Sequence, residues 1–259
     1  MRYEPDIRVY ETLDSTNNEA KRIIAGAPGD DIPFGTVIIA GQQTEGRGRR
    51  GKHFASPDTG SIYASFILRP QADINQPQLI TIMAAVCVCK TIGDVAEPVQ
   101  KPVIKWINDV FLNGRKVCGI LTEAVSDVHS REQSAIVLGI GININVPDDM
   151  FPEEIRDSAG SVTLKPGLRE RFLSDLIENV FTWSDLLEQG VSPIDEYRMR
   201  SPMPGLKIAV IKNGVETPAT AKAITDTGSL HVTFDDGSEE ELRSEEVSIR
   251  EWFGATAQI

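Results

Sequence analysis

The chain has 259 residues, 41% hydrophobic and 25% charged, with a formal net charge of −12. That length supports a full buried core, either as one large domain or as a large and a small one. The negative charge disfavours general binding to nucleic acid or anionic membrane, whose phosphates repel it.

Residues 7–13 alternate as a strand does. Asp14 and Ser15 then offer an N-cap to a short helix over 16–25, which should stop near Gly26, Pro28 and Gly29. GTVIIA at 35–40 is a β-branched run that predicts a buried strand, and SIYASFIL at 61–68 predicts another. Residues 77–95 have helical length, few breakers and apolar residues nearly all round, which predicts a core helix.

Strands are expected at 103–106, 110–112 and 116–124, with Asn113-Gly114 turning a hairpin between the last two. A long strand over 136–146 contains Gly139 and Gly141, which mark a bulge or close approach of a ligand. Leu168, Phe172, Leu176, Val180 and Leu187 keep the spacing of an amphipathic helix. After Pro202, Pro204 and Gly205, short alternating strands over 206–250 turn at Asn213-Gly214, Thr227-Gly228 and Asp236-Gly237, predicting a small β-barrel. The expected architecture is therefore a mixed α/β or α+β domain of sheet and helices over 1–200, followed by a barrel over 201–259.

Cys87, Cys89 and Cys118 fit neither a disulfide framework nor a zinc site and predict buried free thiols. The first ten residues lack the apolar core of a signal peptide, and the apolar run 79–89 is too short to span a bilayer. A cytoplasmic protein is expected.

Three blocks carry chemistry. GQQTEGRGRRGK at 41–52 sets Arg47, Arg49, Arg50 and Lys52 against Glu45, a basic island in an acidic chain. Glycines at 46, 48 and 51 let the backbone approach a ligand, and guanidinium groups grip phosphate in pairs of hydrogen bonds. The loop mimics a dinucleotide fingerprint and most of a Walker A motif. However, His53 stands where the latter needs Ser or Thr, and Ser56, Pro57, Asp58 and Gly60 lead into a turn instead of a helix. In the second block, a hairpin brings Lys105 and Lys116 to one region, two cations able to flank a reacting phosphate. In the third, Asn143 and Asn145 share a strand face at period two, and asparagine amides can pair with the edge of adenine.

In this order the blocks resemble the biotin–protein ligase family. The matching pieces are Asp14-Ser15-Thr16-Asn17, Gln42-Gln43 ahead of GRGRRG, Tyr63-x-Ser65, Lys105-Trp106-x-Asn108-Asp109, Lys116 to Gly119 with Glu123, and Gly139-x-Gly141-x-Asn143. The resemblance implies a mixed sheet with helices on one face and an SH3-like barrel. The implied activity is ATP-dependent formation of biotinyl-5'-AMP, then transfer of biotin to a lysine of a biotin carboxyl carrier protein or domain of a biotin-dependent carboxylase or decarboxylase.

It further implies that Arg47 and Arg49 hold the biotin carboxylate and phosphate, with Lys105, and more weakly Lys116, stabilising the α-phosphate. Ser15, Thr16, Asn17, Gln42 and Gly48 would meet biotin. Gly46, Arg50, Asn108, Gly139, Gly141 and Asn143 would line the ATP and adenylate side. Mg2+ accompanies ATP, with no ligand named, and Asp109 is the candidate for the carrier amine's proton. The loop should close over the intermediate.

The chain departs from the family where Ile107 replaces the usual proline and Phe54 a frequent tryptophan. No helix-turn-helix repressor domain is expected, hence no nucleic-acid partner; a homodimer stays open. The rivals are a lipoate–protein ligase or octanoyltransferase, which the polar Ser15–Thr16–Asn17 cluster disfavours, and a non-enzymatic nucleic-acid-binding protein, which the acidic charge disfavours.

Overall fold

The computed structural model describes residues 4–27, 31–55, 60–69, 77–96, 101–126 and 133–249. The expected helix stop at Pro28 and Gly29, the turn at Ser56, Pro57 and Asp58, and the strand end at Arg250 lie outside the described residues. In chain order the first elements are β1 (Asp6–Leu13), α1 (Thr16–Gly26), β2 (Thr36–Gln43), β3 (Ile62–Leu68) and α2 (Pro77–Val95). There follow β4 (Val103–Lys105), β5 (Asp109–Leu112), β6 (Arg115–Ser126), β7 (Gln133–Ile142), α3 (Arg169–Glu188) and α4 (Ile194–Arg200). The chain then enters β8 (Lys207–Lys212), β9 (Val215–Ile224), β10 (Leu230–Phe234), β11 (Glu239–Leu242) and β12 (Glu246–Ile249).

The larger sheet has seven strands in the order β1-β2-β3-β7-β6-β5-β4. Only β1 and β2 run parallel; the other pairs are antiparallel. All seven residues of β3 are buried, because both faces of this strand are covered. On one face Val37, Ile39, Phe66, Leu68 and Leu138 pack with α2 and α3. On the other, Ile38, Ile67 and Val137 pack with Ala20 and Ile24 of α1. Helices therefore lie on both faces instead of the expected one. Strand alternation explains it: the buried residues of β2 and β3 are apolar at successive positions, so each face needs a cover.

The Gln78–Val95 window of α2 is long and apolar enough to cross a membrane, and 72% of it is buried here. That buried surface includes Ile82, Met83, Val86 and Cys87 in the main core. All three cysteines are buried free thiols. Asn113 and Gly114 take φ of 54° and 75° and turn the β5–β6 hairpin, as their tolerance of positive φ predicts.

The expected strand over 136–146 ends earlier, at Ile142. Asn145 takes a φ of 50°, so Asn143 and Asn145 do not share a strand face. Helix α4 was not foreseen. It buries Tyr197, whose hydroxyl donates to the Ile107 carbonyl at 3.2 Å.

The C-terminal strands form an antiparallel sheet in the order β11-β10-β9-β8-β12. The expected small β domain is thus a five-stranded antiparallel sheet, and no pairing between its end strands closes a barrel among the described residues. It is bonded to the larger sheet at the strand that ends in Lys105. The Trp106 indole N–H donates to the Gly228 carbonyl at 2.9 Å, and Arg198 Nε donates to the Ile224 carbonyl at 2.8 Å.

Candidate active site

A cavity of about 250 Å³ opens where the end of β2, the start of α1, the β4–β6 strands, the middle of β7 and the β11–β12 turn converge. Its inner end is polar. Ser15, Thr16 and Asn17 line it and are buried, because Ser15 caps α1 and the first helical turn points into the sheet. Ser15 makes no side-chain cap bond. Instead Gln43 reaches in from β2: its Oε1 accepts from the Thr16 N–H at 2.8 Å and the Thr16 hydroxyl at 3.1 Å.

Buried Ser65 lies with its hydroxyl 2.8 Å from Thr16 Oγ1 and 2.6 Å from Asn17 Oδ1. Asn17 Nδ2 donates to Glu123 at 2.9 Å. Glu123 also meets Lys21 at 2.7 Å and Arg47 at 3.3 Å. Burial pushes the Glu123 carboxyl up, but the bonds from Lys21 and Asn17 and the nearby cations outweigh it and hold the carboxyl below its ordinary value. The amide of Asn17 touches Gly139, where an added Cβ would lie 2.1 Å from Oδ1. Glycine is needed there to let the first turn of α1 close on the sheet.

The outer end is cationic. The arginine loop folds back on itself through a bridge between Arg47 and His53 and a bond from the Gly48 N–H to the Lys52 carbonyl at 2.7 Å. Arg50 and Gly51 take φ of 56° and 75° at its tip. Arg49 donates to Asn108 Oδ1 at 3.1 Å and to the Ser244 carbonyl at 2.7 Å. Arg50 reaches the same carbonyl at 2.9 Å, and Lys52 pairs with Glu246. Glu245 shapes that turn by accepting the backbone N–H groups of Arg243 and Ser244.

Lys105 ends β4 in register with Asp109, and burial lowers the pKa of its ammonium below the ordinary range, opposed by the Asp109 charge and reinforced by Lys116. Lys116 Nζ lies 2.8 Å from Asp109 Oδ1, an oxygen that makes no hydrogen bond, so the contact is one of charge. Burial likewise works against the charge on Arg49. The Phe54 ring lies over Gly119 and Gly141, where added Cβ atoms would come within 2.9 and 2.7 Å of it. Its edge-on contact with Tyr63 and the Lys116 ammonium 5.9 Å from its centre keep an aromatic wall at the position of the family's tryptophan.

Residues 11–143 match the biotin/lipoate A/B protein ligase family. The chain belongs to that family. It is 31% identical over 223 residues to the biotin--[acetyl-CoA-carboxylase] ligase of Paracoccus denitrificans, a match covering 84% of this chain and 90% of that protein. It is 35% identical over 158 residues to the bifunctional ligase/repressor BirA of Bacillus subtilis, covering 61% of this chain and 46% of that one. The chain thus spans just under half the length of that relative. Its fold is like that of the biotin protein ligase from Aquifex aeolicus solved in complex with biotin and ATP, with a TM-score of 0.76, 23% identity, and coverage of 95% of this chain and 99% of the other.

In this member of the ligase family the cavity gathers Ser15, Thr16, Asn17, Arg47, Gly48, Arg49, Arg50, Lys105, Asn108, Asp109, Lys116, Gly139 and Gly141 of the residues singled out from sequence. Three singled-out residues fall elsewhere. Gln43, and not Gln42, lines the cavity: neighbouring strand residues point to opposite faces, and sequence alone does not say which glutamine faces in. Gly46 is buried behind the wall, its carbonyl accepting from the Phe54 N–H. Asn143 is buried outside the lining, and its Nδ2 donates to the Gly160 carbonyl at 2.9 Å. Sequence reasoning also gave no role to Asn18, Lys21 or Glu123, or to Ser244 and Glu246, whose loop contacts span about 195 residues of chain.

Proposed function

We propose that the chain is a biotin–protein ligase, which activates biotin with ATP as biotinyl-5'-AMP and passes the acyl group to a lysine of a biotin carboxyl carrier protein. One observation carries this reading: a single cavity joins a polar inner end, Ser15, Thr16, Asn17 and Gln43, to a cationic outer end, Arg47, Arg49, Arg50, Lys105 and Lys116. A ureido ring offers two N–H donors and a carbonyl that need buried partners, while a carboxylate meeting a triphosphate needs cations. The name of the Paracoccus relative, matched over 90% of its length, supports the same reading.

In the first step a carboxylate oxygen of biotin attacks the α-phosphorus of ATP, and the bond to pyrophosphate breaks. Arg47 and Arg49 hold the carboxylate and phosphate, and Lys105 and Lys116 stabilise charge at the α-phosphate. In the second, the carrier's lysine amine attacks the acyl carbon, an amide forms and AMP leaves. We assign the amine's proton to Asp109, opposite Lys105 in register. Of the three residues expected on the adenine side, Gly141 keeps that place, whereas Gly139 packs against Asn17 at the inner end and Asn143 is buried outside the lining.

Among the described residues no three His, Cys, Asp or Glu side chains converge as a metal cage. Of the cavity carboxylates, Asp109 and Glu246 meet Lys116 and Lys52, and Glu245 accepts the backbone N–H groups of Arg243 and Ser244. No Mg2+ ligand is assigned to these residues, and no step here runs through the ion.

We assign 1–200 to a catalytic domain and 201–259 to a second domain that closes the cavity with its β11–β12 turn. Three buried free thiols suit a reducing compartment such as the cytoplasm. Exchange of labelled pyrophosphate into ATP tests the reading: exchange is expected with biotin and not with lipoate. Exchange with lipoate alone would overturn it.

A further inference from the structure

Arg47 stands apart from the other cations of its loop. Arg49, Arg50 and Lys52 reach toward the C-terminal sheet, whereas Arg47 turns the other way, to α1 and β6. Its Nη1 donates to Asn18 Oδ1 at 2.8 Å and its Nη2 lies 3.3 Å from Glu123 Oε1. Neither acceptor is loosely held. The Asn18 amide is pinned by its own Nδ2, which donates to Asp14 Oδ2 at 2.8 Å, so its oxygen must face Arg47. Asp14 in turn receives two bonds from Arg22, at 2.7 and 3.1 Å, and lies well below the usual carboxylate range, chiefly through Arg22. Glu123 is fixed by Lys21 at 2.7 Å and by Asn17 at 2.9 Å. Two rigid acceptors thus occupy two of the guanidinium's five N–H groups and leave the rest for a ligand in the cavity that Arg47 lines.

The geometry points to Asn18 and Glu123 as positioning residues for Arg47, which pre-set the guanidinium at the cavity rim to meet the carboxylate of the acid being activated. The inference rests on the proposed ligase reading and names how one of its cations is aimed. Without these acceptors the arginine must give up its rotamer freedom when the ligand arrives, and the ligand binds more weakly. The effect is confined to ligands with a negative group where Arg47 reaches. A ligand that keeps the ureido head and lacks the carboxylate makes no use of it.

The experiment is calorimetric binding to the full chain of biotin and of biotinol, the analogue with a hydroxymethyl group in place of the carboxyl. It uses wild type, Asn18→Ala, Arg47→Ala and the double variant. Wild-type binding of biotin comes first, and its absence would sink the ligase reading itself and this inference with it. Given that binding, Asn18→Ala should weaken biotin about five- to tenfold, the range for one net hydrogen bond with Glu123 still in place, and leave biotinol unchanged. In the Arg47→Ala background the same change should have no further effect on biotin. Equal losses for both ligands, an undiminished loss without Arg47, or no loss at all would each overturn the assignment. Glu123→Gln, which keeps an oxygen for Asn17, provides a second arm should Asn18→Ala fold poorly. It should give the same selective loss, and a loss shared with biotinol would count against the inference.

Discussion

At the inner end of the cavity Ser65, Thr16 and Asn17 are buried and bond to one another, while at the outer end Arg49, Arg50 and Lys52 reach across to Ser244 and Glu246 in another sheet. The inner contacts join strand and helix residues whose backbones are fixed by the seven-stranded sheet. The outer ones join a glycine-rich loop to a turn, and their partners are a carbonyl and a partly exposed carboxylate that an anionic ligand can replace. The difference teaches a division of labour. On the proposed reading, preorganised buried polar groups select the neutral head of the substrate, and exchangeable cations wait for charge that develops only during reaction.

The sharpest way to break that comparison is at Lys105. A cation that acts on the transition state should govern rate more than ground-state affinity. Lys105→Met should lower the turnover of pyrophosphate exchange by about 10²–10³-fold, the scale for one lost electrostatic contact to a reacting oxyanion. Biotin affinity should change far less, and a pure affinity loss with normal turnover would refute the division. A smaller effect is expected from Gly139→Ala, which strikes the inner end. Its Cβ would sit 2.1 Å from Asn17 Oδ1, so Asn17 must move. Overpacking of this kind costs about 1–3 kcal/mol, and biotin affinity should fall about 10- to 100-fold with turnover at saturation largely kept.

Ser65→Ala comes next. It removes the one hydroxyl proton shared by the Asn17 Oδ1 and Thr16 Oγ1 acceptors and leaves a buried acceptor without a donor. The cost is about 1–3 kcal/mol, shared between thermal stability and biotin binding. Calorimetry and melting should both register it. A variant with wild-type values in both would show that the inner network does not organise the site.

These contrasts also explain what the sequence disclosed. Periodicity exposed the core: the β-branched run in β2, the apolar α2 and the Asn113-Gly114 turn all appear where local chemistry requires them. The cavity's cations were legible because glycine and arginine at close spacing have few structural uses. Gln43 was missed because period two cannot choose a face at the end of a strand. The strand face expected to hold Asn143 and Asn145 together does not form, because β7 stops at Ile142, where the segment around Val162 pairs alongside and the Asn143 amide donates to the Gly160 carbonyl. Glu123 stood in the motif list without a role, since its partners Asn17, Lys21 and Arg47 lie 76–106 residues earlier. Long-range pairs of this kind leave no local signature.

The last test concerns the tie between Lys52 and Glu246, where the expected effect is least. Lys52 is open to water at 64% exposure and Glu246 partly so at 33%, so salt screens the pair and its contribution is about 0–1 kcal/mol. Lys52 is nevertheless the first cause holding the Glu246 carboxyl below its ordinary 4.5. A carboxyl lowered in the folded state stabilises that state fully above its unfolded value, and the gain is lost as pH falls through the folded value. Glu246→Gln should therefore melt slightly below wild type at pH 7 and low salt, with the two curves meeting as the solution is acidified below about pH 4 or salted to about 1 M. Limited proteolysis at the arginine loop should follow the same course, faster in the variant at pH 7 and equal in acid. A variant loop that resists cleavage better than wild type at pH 7 would mean that Glu246 pulls the loop open, and the outer end could no longer be described as tied to the C-terminal sheet.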